Sequence, residues 1–388
     1  MKNICLNSSV KGLLSILFCF FVMGFVDVVS IATSYVQQDF ALNDSLANLL
    51  PMMVFLWFAV CSLPVGFLMN KIGRKKTVML SIAVTMTAML VPLINYSFAM
   101  VLVAFALLGI GNTILQVSLN PLVMDVVRKD RITSMLTFGQ FIKAISSTLG
   151  PVIVGGVAGV LGNWKLIFVV YAVVTVLSWL WLYCVNITEA NTKNARTGIN
   201  NIVNLMCNRY ILMLFSMILL IVGFEIGLMT TLPKYLLEQY DIPIERGGLT
   251  CSLYFIARTI ATFGGAIILA KVSSRKFLII SMLGAILSFG CFLFLESQWL
   301  IFTAVFFVGL FCANVFAVAF SAAIQSQPDK AKDISAFMIM GVAGGALIPP
   351  IMGGIADVSS HFISLFVPLL ILVYLLVASF KLNHSSIK

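Results

Sequence analysis

GFLMNKIGRKK, residues 66–76, is a short basic turn between two long apolar runs. Gly66 lets neighbouring helices approach closely, and Gly73 permits a tight turn. Lys71, Arg74 and Lys75 can bind the carbonyls at helix C-termini and gate one face. The pattern returns downstream as GAIILAKVSSRK, residues 265–276, with Lys71 and Lys271 separated by 200 positions. A second echo pairs Pro151, Gly155, Gly156 and Ala158 with Pro349, Gly353, Gly354 and Ala356, an offset of 198. Similar offsets at two places predict a duplicated unit about half the chain long.

Outward from that turn, apolar runs alternate with brief polar breaks. A helix needs about 20 residues to cross the hydrocarbon core. The runs predict twelve spans, at 12–36, 46–70, 77–95, 98–126, 132–160, 165–186, 209–236, 246–271, 276–295, 298–326, 334–357 and 361–381. The most polar stretch lies between the sixth and seventh. The expected fold is therefore an all-α polytopic membrane protein: twelve transmembrane helices in two pseudo-symmetric six-helix bundles, residues 1–187 and 209–388, joined by a linker at 188–208.

Composition agrees. Hydrophobic residues make up 61% and charged residues 10%, against about 45–50% and 25% in soluble domains. The net charge of +10 would suggest nucleic acid for a soluble chain, but here the cations cluster in loops. With both termini on one side, 19 of the 24 Lys and Arg residues share that side. Only Lys165, Lys234 and Arg246 face the other, while Lys143 and Arg258 fall within spans. The positive-inside rule makes the basic side cytoplasmic. The first apolar run is too long for the core of a cleavable signal peptide. The eight cysteines lie mostly in apolar runs without a CxxC pair, so no disulfide or metal framework is expected.

The loop at 66–76 fits the signature G-x-x-x-[DN]-[RK]-x-G-R-[RK] and resembles that of the major facilitator superfamily. Gly66, Asn70, Lys71, Gly73, Arg74 and Lys75 occupy its positions. Asn70 stands where many members carry Asp, which predicts a weaker charged lock at this loop. A narrower resemblance, to the fucose permease type of sugar–proton symporter, rests on three stretches. They are GIGNTILQVSLNPLV (109–123), LTFGQFIKAISSTLGP (136–151) and SAFMIMGVAGGALIPPIMGGIAD (335–357). That resemblance implies uptake of a small sugar coupled to protons. The chain departs from the group at Gln116, where an acid is usual, and at Asp27, about one turn before the group's first-helix acid.

Polar residues at membrane depth are the informative ones, because a charge at a helix centre costs about 2.5–3.5 kcal/mol on insertion scales. Asp27 and Glu225 lie mid-span in helices 1 and 7. Burial raises a carboxyl pKa, which makes both candidates for proton coupling. Lys143 follows Gln140 by three residues, so the two share a helix face. Lys143 either pairs with Asp27 or Glu225 or receives a carboxylate on the substrate. Arg258 is read equally as a structural pairing within the second half or as part of transport. Gln116 and Asn120, at i and i+4, present amides suited to sugar hydroxyls, and Pro121 frees the carbonyl of Val117. Asn314 is their nearest equivalent in the second half. Phe55, Trp57 and Tyr254 are candidates for stacking on a sugar face, although single aromatics more often pack. Asp125 and Asp357, near span ends, are expected to be caps or gates; His361 and His384 also lie near ends.

The expectation is a secondary transporter of the inner membrane, both termini cytoplasmic, importing a monosaccharide or derivative by proton symport through alternating access. A sugar acid such as sialic acid or a hexuronate is the alternative cargo, favoured by Lys143 and by the missing acid at Gln116. Drug–proton antiport and a non-transporting sugar sensor are further alternatives. No metal cluster, phosphate loop or catalytic constellation is visible, so no enzyme activity, metal or cofactor is expected. The expected partners are the sugar, protons and the lipid bilayer, with no nucleic acid. A monomer is the family's default.

Overall fold

The computed structural model describes residues 2–127, 132–187, 189, 207–269, 272–295, 297–327 and 331–382; the side chains of 2–10, 70, 124, 132–137, 266–267, 331–333 and 335–336 are not among them. Among the described residues, eleven helices are long and apolar enough to cross a membrane. They are α1 (Lys11–Asp39), α2 (Asp44–Met69), α3 (Arg74–Ile94), α4 (Phe98–Val123), α5 (Phe138–Leu161), α6 (Leu166–Cys184), α7 (Arg209–Tyr240), α9 (Ser274–Phe292), α10 (Gln298–Ser326), α11 (Phe337–Val358) and α12 (His361–Phe380). The remaining rod, α8 (Ile244–Leu269), carries Glu245, Arg246 and Arg258. The twelve rods follow the twelve predicted runs. The expected linker at 188–208 lies largely outside the described residues.

Buried apolar side chains form two clusters. One draws on residues 16–182, with Ile226, Ile244, Val342 and Ala346 reaching in from the second half; the other draws on 211–382. The duplication also recurs in packing. A Cβ on Gly109 of α4 would collide with the carbonyl oxygen of Val54 on α2, and one on Gly309 of α10 would lie 2.6 Å from that of Tyr254 on α8. Both glycines, and both of their partners, are 200 positions apart. The spacing seen in Lys71 and Lys271 is therefore the spacing of a shared helix–helix contact, which the absence of a side chain permits.

Three rods are interrupted at depth. In α1, residues Gly24–Val28 form a 3-10 turn. In α11, Gly341–Ala343 does the same. In α10, the helix Gln298–Cys312 gives way to Val315–Ser326. Irregular backbone at membrane depth is tolerated where protein or a water-filled cavity surrounds it. All five residues of the α1 break are buried.

The end of the molecule bearing the basic loop is tied by contacts of the first bundle and of Glu189 at the start of the linker. Gly73, at φ +91°, ends one helix and caps the next. Arg74 pairs with Asp125 at 2.5 Å. The Glu189 carboxylate accepts the backbone N–H groups of Arg74 and Lys75 at 2.7 and 2.8 Å, a favourable place for an anion at a helix start. Lys75 Nζ donates to the carbonyl of Val185 at 2.6 Å. The loop is thus locked through charge despite Asn70, whose side chain lies outside the described set, because Asp125 and Glu189 supply the anions. Lys71 is exposed and Gly66 half-buried.

We expect Gly109→Ala to destabilise the protein by about 1–3 kcal/mol through overpacking. Gly156→Ala, where a Cβ would meet nothing within 4 Å, should leave it unchanged or slightly firmer. Thermal unfolding of the purified protein in detergent separates the two.

Candidate functional site

The break in α1 sets Asp27 into the interior, 8% exposed. Its carboxylate accepts a hydrogen bond from the Ser147 hydroxyl of α5. Two local features hold the break. The side-chain amide of Asn112 on α4 donates to the Met23 carbonyl at 2.8 Å, satisfying a backbone group where the helix changes form. Gly24 lets α5 come close, since a Cβ there would lie 2.7 Å from the Lys143 carbonyl oxygen. The same contact that frees α1 to turn therefore brings Lys143 and Ser147 to Asp27.

On α5 the side chains sort by face at about 100° per residue. Gly139, Ser146 and Gly150 are buried, and Gly139 and Gly150 face Phe20 and Val28 of α1. Phe138, Phe141, Ile145, Leu149 and Val152 form an exposed apolar stripe suited to lipid. Gln140, Lys143 and Ser147 lie on the side opposite that stripe. Gln140 is exposed and Lys143 half-buried.

Asp27 on α1 and Glu225 on α7 are 198 positions apart, the offset already seen between Pro151 and Pro349. Glu225 forms an ion pair with Arg258 of α8. Arg258 thus takes the structural pairing, while its side chain stays 35% exposed against 10% for Glu225. Glu225 also lies within electrostatic reach of Asp27 and Lys143, and Arg258 within reach of Asp27. Four ionisable side chains from both bundles therefore share one region. Asp27 and Lys143 make no ion pair with each other or with any other group among the described residues.

The amides are partly engaged. Gln116 donates to the side-chain oxygen of Asn112 at 2.8 Å, which leaves its own oxygen and second N–H for a ligand. Asn120 is half-buried. Asn314 is buried and donates to the Ala261 carbonyl at 2.9 Å, bracing the α10 break against α8. Phe55 and Tyr254 are buried as packing groups: Phe55 lies against Gly345, and Tyr254 against Gly309. Asn112 and Ser147 were not singled out in the sequence. Both lie one helical turn from a residue that was, Asn112 before Gln116 and Ser147 after Lys143.

At the end opposite the basic loop, charged groups join the two bundles. Asp44, at the start of α2, pairs with Lys234 of α7 at 2.7 Å and with His361 of α12 at 3.1 Å. The other ring nitrogen of His361 meets Glu238. The Asp357 carboxylate of α11 accepts the backbone N–H groups of Asp44 and Ser45 at 2.6 and 2.8 Å. Asp357 is thus both a cap and a cross-bundle tie, and Gly353 lets α11 approach the same turn.

The sequence profile of the Major Facilitator Superfamily matches residues 13–247 and 213–387. A protein provisionally named glucose/galactose transporter in Helicobacter pylori is 24% identical over 400 residues, covering 97% of each chain. The glucose/galactose transporter of Brucella abortus is 24% identical over 398 residues, covering 94% of this chain and 92% of its own. The crystal structure of the E. coli fucose:proton symporter FucP superposes with a TM-score of 0.70 at 16% identity, covering 97% of this chain and 100% of that one. The chain belongs to the Major Facilitator Superfamily, a family of multi-pass membrane transporters rather than enzymes.

Replacing Lys234 with Met removes a cation from the cross-bundle tie and should loosen that end. In a background with the native cysteines replaced, Thr231→Cys, buried one turn deeper, is expected to react several-fold faster with a membrane-impermeant maleimide when Lys234→Met is also present. An unchanged rate would mean that the tie does not hold that end closed.

Proposed function

We propose that this protein imports a monosaccharide or close derivative together with protons, by alternating access of the two bundles 1–187 and 209–388 about the linker 188–208. The carrying observation is Asp27. It is a buried carboxylate at the middle of a span, held by a hydroxyl rather than a cation, beside three other ionisable groups. Glu225 is already neutralised by Arg258, so Asp27 is the acid free to gain and lose a proton. The printed names of the relatives support a sugar as cargo, and the likeness to FucP fits coupling to protons.

In this reading the protein sits in the inner membrane as a monomer, with the basic face and both termini in the cytoplasm. The substrate binds between the bundles against Gln116, Asn120, Gln140, Lys143 and the oxygen of Asn314. Gly66, Asn70, Lys71, Gly73 and Arg74 stiffen the cytoplasmic loop, and Arg258 holds Glu225. The tie of Asp44 to Lys234, His361 and Asp357 closes the outer end. It must open for loading from outside, when Asp27 takes a proton.

Asp27→Asn should abolish accumulation driven by a pH gradient while preserving exchange of labelled for unlabelled sugar across the membrane. Vesicle uptake with simultaneous pH recording reads both. Undiminished accumulation by Asp27→Asn would overturn the assignment of the proton to this residue.

A further inference from the structure

We propose that the sugar is bound as a monoanion whose carboxylate is received by Lys143, an inference that rests on the function proposed above. Among the four ionisable residues at the site, Glu225 and Arg258 neutralise one another as an ion pair. Asp27 is bonded to Ser147. Lys143 is left with no bonded partner among the described residues. It is half-buried on the face of α5 that also carries Gln140. The second half has no counterpart to it: position 198 residues further on, the offset relating Asp27 to Glu225, is Gly341. The acid is thus repeated in both bundles and the lysine in one only, as a residue serving the cargo rather than the duplicated scaffold would be.

Charge balance supplies the coupling. With Asp27 ionised, the two acids and two bases sum to zero. With Asp27 protonated they sum to +1, carried by Lys143. The remaining titratable groups packed about the acids, Tyr171, Tyr254 and Cys312, are types that are neutral near pH 7. An uncompensated charge at this depth is unfavourable. A monoanionic sugar removes it, whereas a neutral sugar leaves +1 and a phosphate dianion leaves −1. The proton and the carboxylate therefore favour one another's binding, and the effect is reciprocal. When Asp27 loses its proton it competes with the substrate for the field of Lys143, which assists release. The oxygens of Gln116 and Gln140 and the amide of Asn120 remain for the hydroxyls.

The test uses the full chain in proteoliposomes with labelled glucuronate, galacturonate, N-acetylneuraminate, glucose and galactose. A pH gradient and a potassium diffusion potential are imposed separately. One proton moving with one monoanion is electroneutral, so an acidic sugar should accumulate under the pH gradient and not under the potential alone. Lys143→Gln should weaken its apparent affinity roughly tenfold or more, and Lys143→Arg, which keeps the charge, should restore most of it. The Arg variant also serves as the control for a Gln variant that fails to fold. If glucose or galactose accumulates while none of the three acids accumulates or competes, the anion inference is overturned and proton–sugar symport stands. Accumulation of an acid driven by the potential, or unaffected by Lys143→Gln in a folded protein, also overturns it. If neither class accumulates under either gradient, the proposed function falls, and this inference with it.

Discussion

Each charge placed in the middle of a bilayer must be compensated, because leaving it bare costs about 2.5–3.5 kcal/mol on insertion scales. Four such residues, Asp27, Lys143, Glu225 and Arg258, occupy the spans of this chain, and much of its geometry serves to bring them together. The break at Gly24–Val28 sets Asp27 inward. Asn112 satisfies the carbonyl the break exposes. Gly24 admits α5 closely enough for Ser147 to reach the carboxylate. On the other side, α7 runs unbroken past Glu225 and relies on Arg258 of α8 for compensation. The two bundles thus solve the same problem differently: one acid is held by a cation and the other by a hydroxyl. In the proposed mechanism, that difference is why the proton is assigned to Asp27.

The two ends of the molecule are also built differently. Near the basic loop, the ties join parts of the first bundle, Arg74 to Asp125 and Lys75 to Val185, and the start of the linker, Glu189, to the start of α3. They stiffen a body. At the opposite end, Asp44 and the turn it opens are held by Lys234, His361 and Asp357, all from the second bundle. In the proposed cycle these ties close the outer end and are released when the bundles rock. Buried pairs of this kind are weak contributors to stability but specific in geometry, which suits a contact that must release.

Much of the fold was legible because the membrane restricts the choices. Apolar runs of the required length and basic residues on one side needed no knowledge of packing. The offset near 200 between Lys71 and Lys271 pointed to a duplication that the contacts of Gly109 and Gly309 repeat. The depth of Asp27, Lys143, Glu225 and Arg258 was equally plain, since charge in hydrocarbon is conspicuous. Their pairing was not. Arg258 was open between a structural pairing and a part in transport, and the packing of α7 on α8 brings it to Glu225. Asn112 and Ser147 were overlooked because small neutral polar residues are common in membrane helices and carry little cost that would mark them. Asn70 lies outside the described side chains, and the anions that hold the loop, Asp125 and Glu189, were hidden because they are distant in sequence. The cross-bundle tie was hidden for the same reason: Asp44 and Asp357 stand 313 positions apart.

The central claim is that the solute and a proton occupy one site whose charge is set by Asp27. Calorimetric titration of the purified protein at pH 8 with its transported sugar, in buffers of different ionisation enthalpy, counts the protons taken up per sugar bound. The account predicts about one proton for the native chain and none for Asp27→Asn. Sugar binding with no proton uptake by the native chain would contradict it.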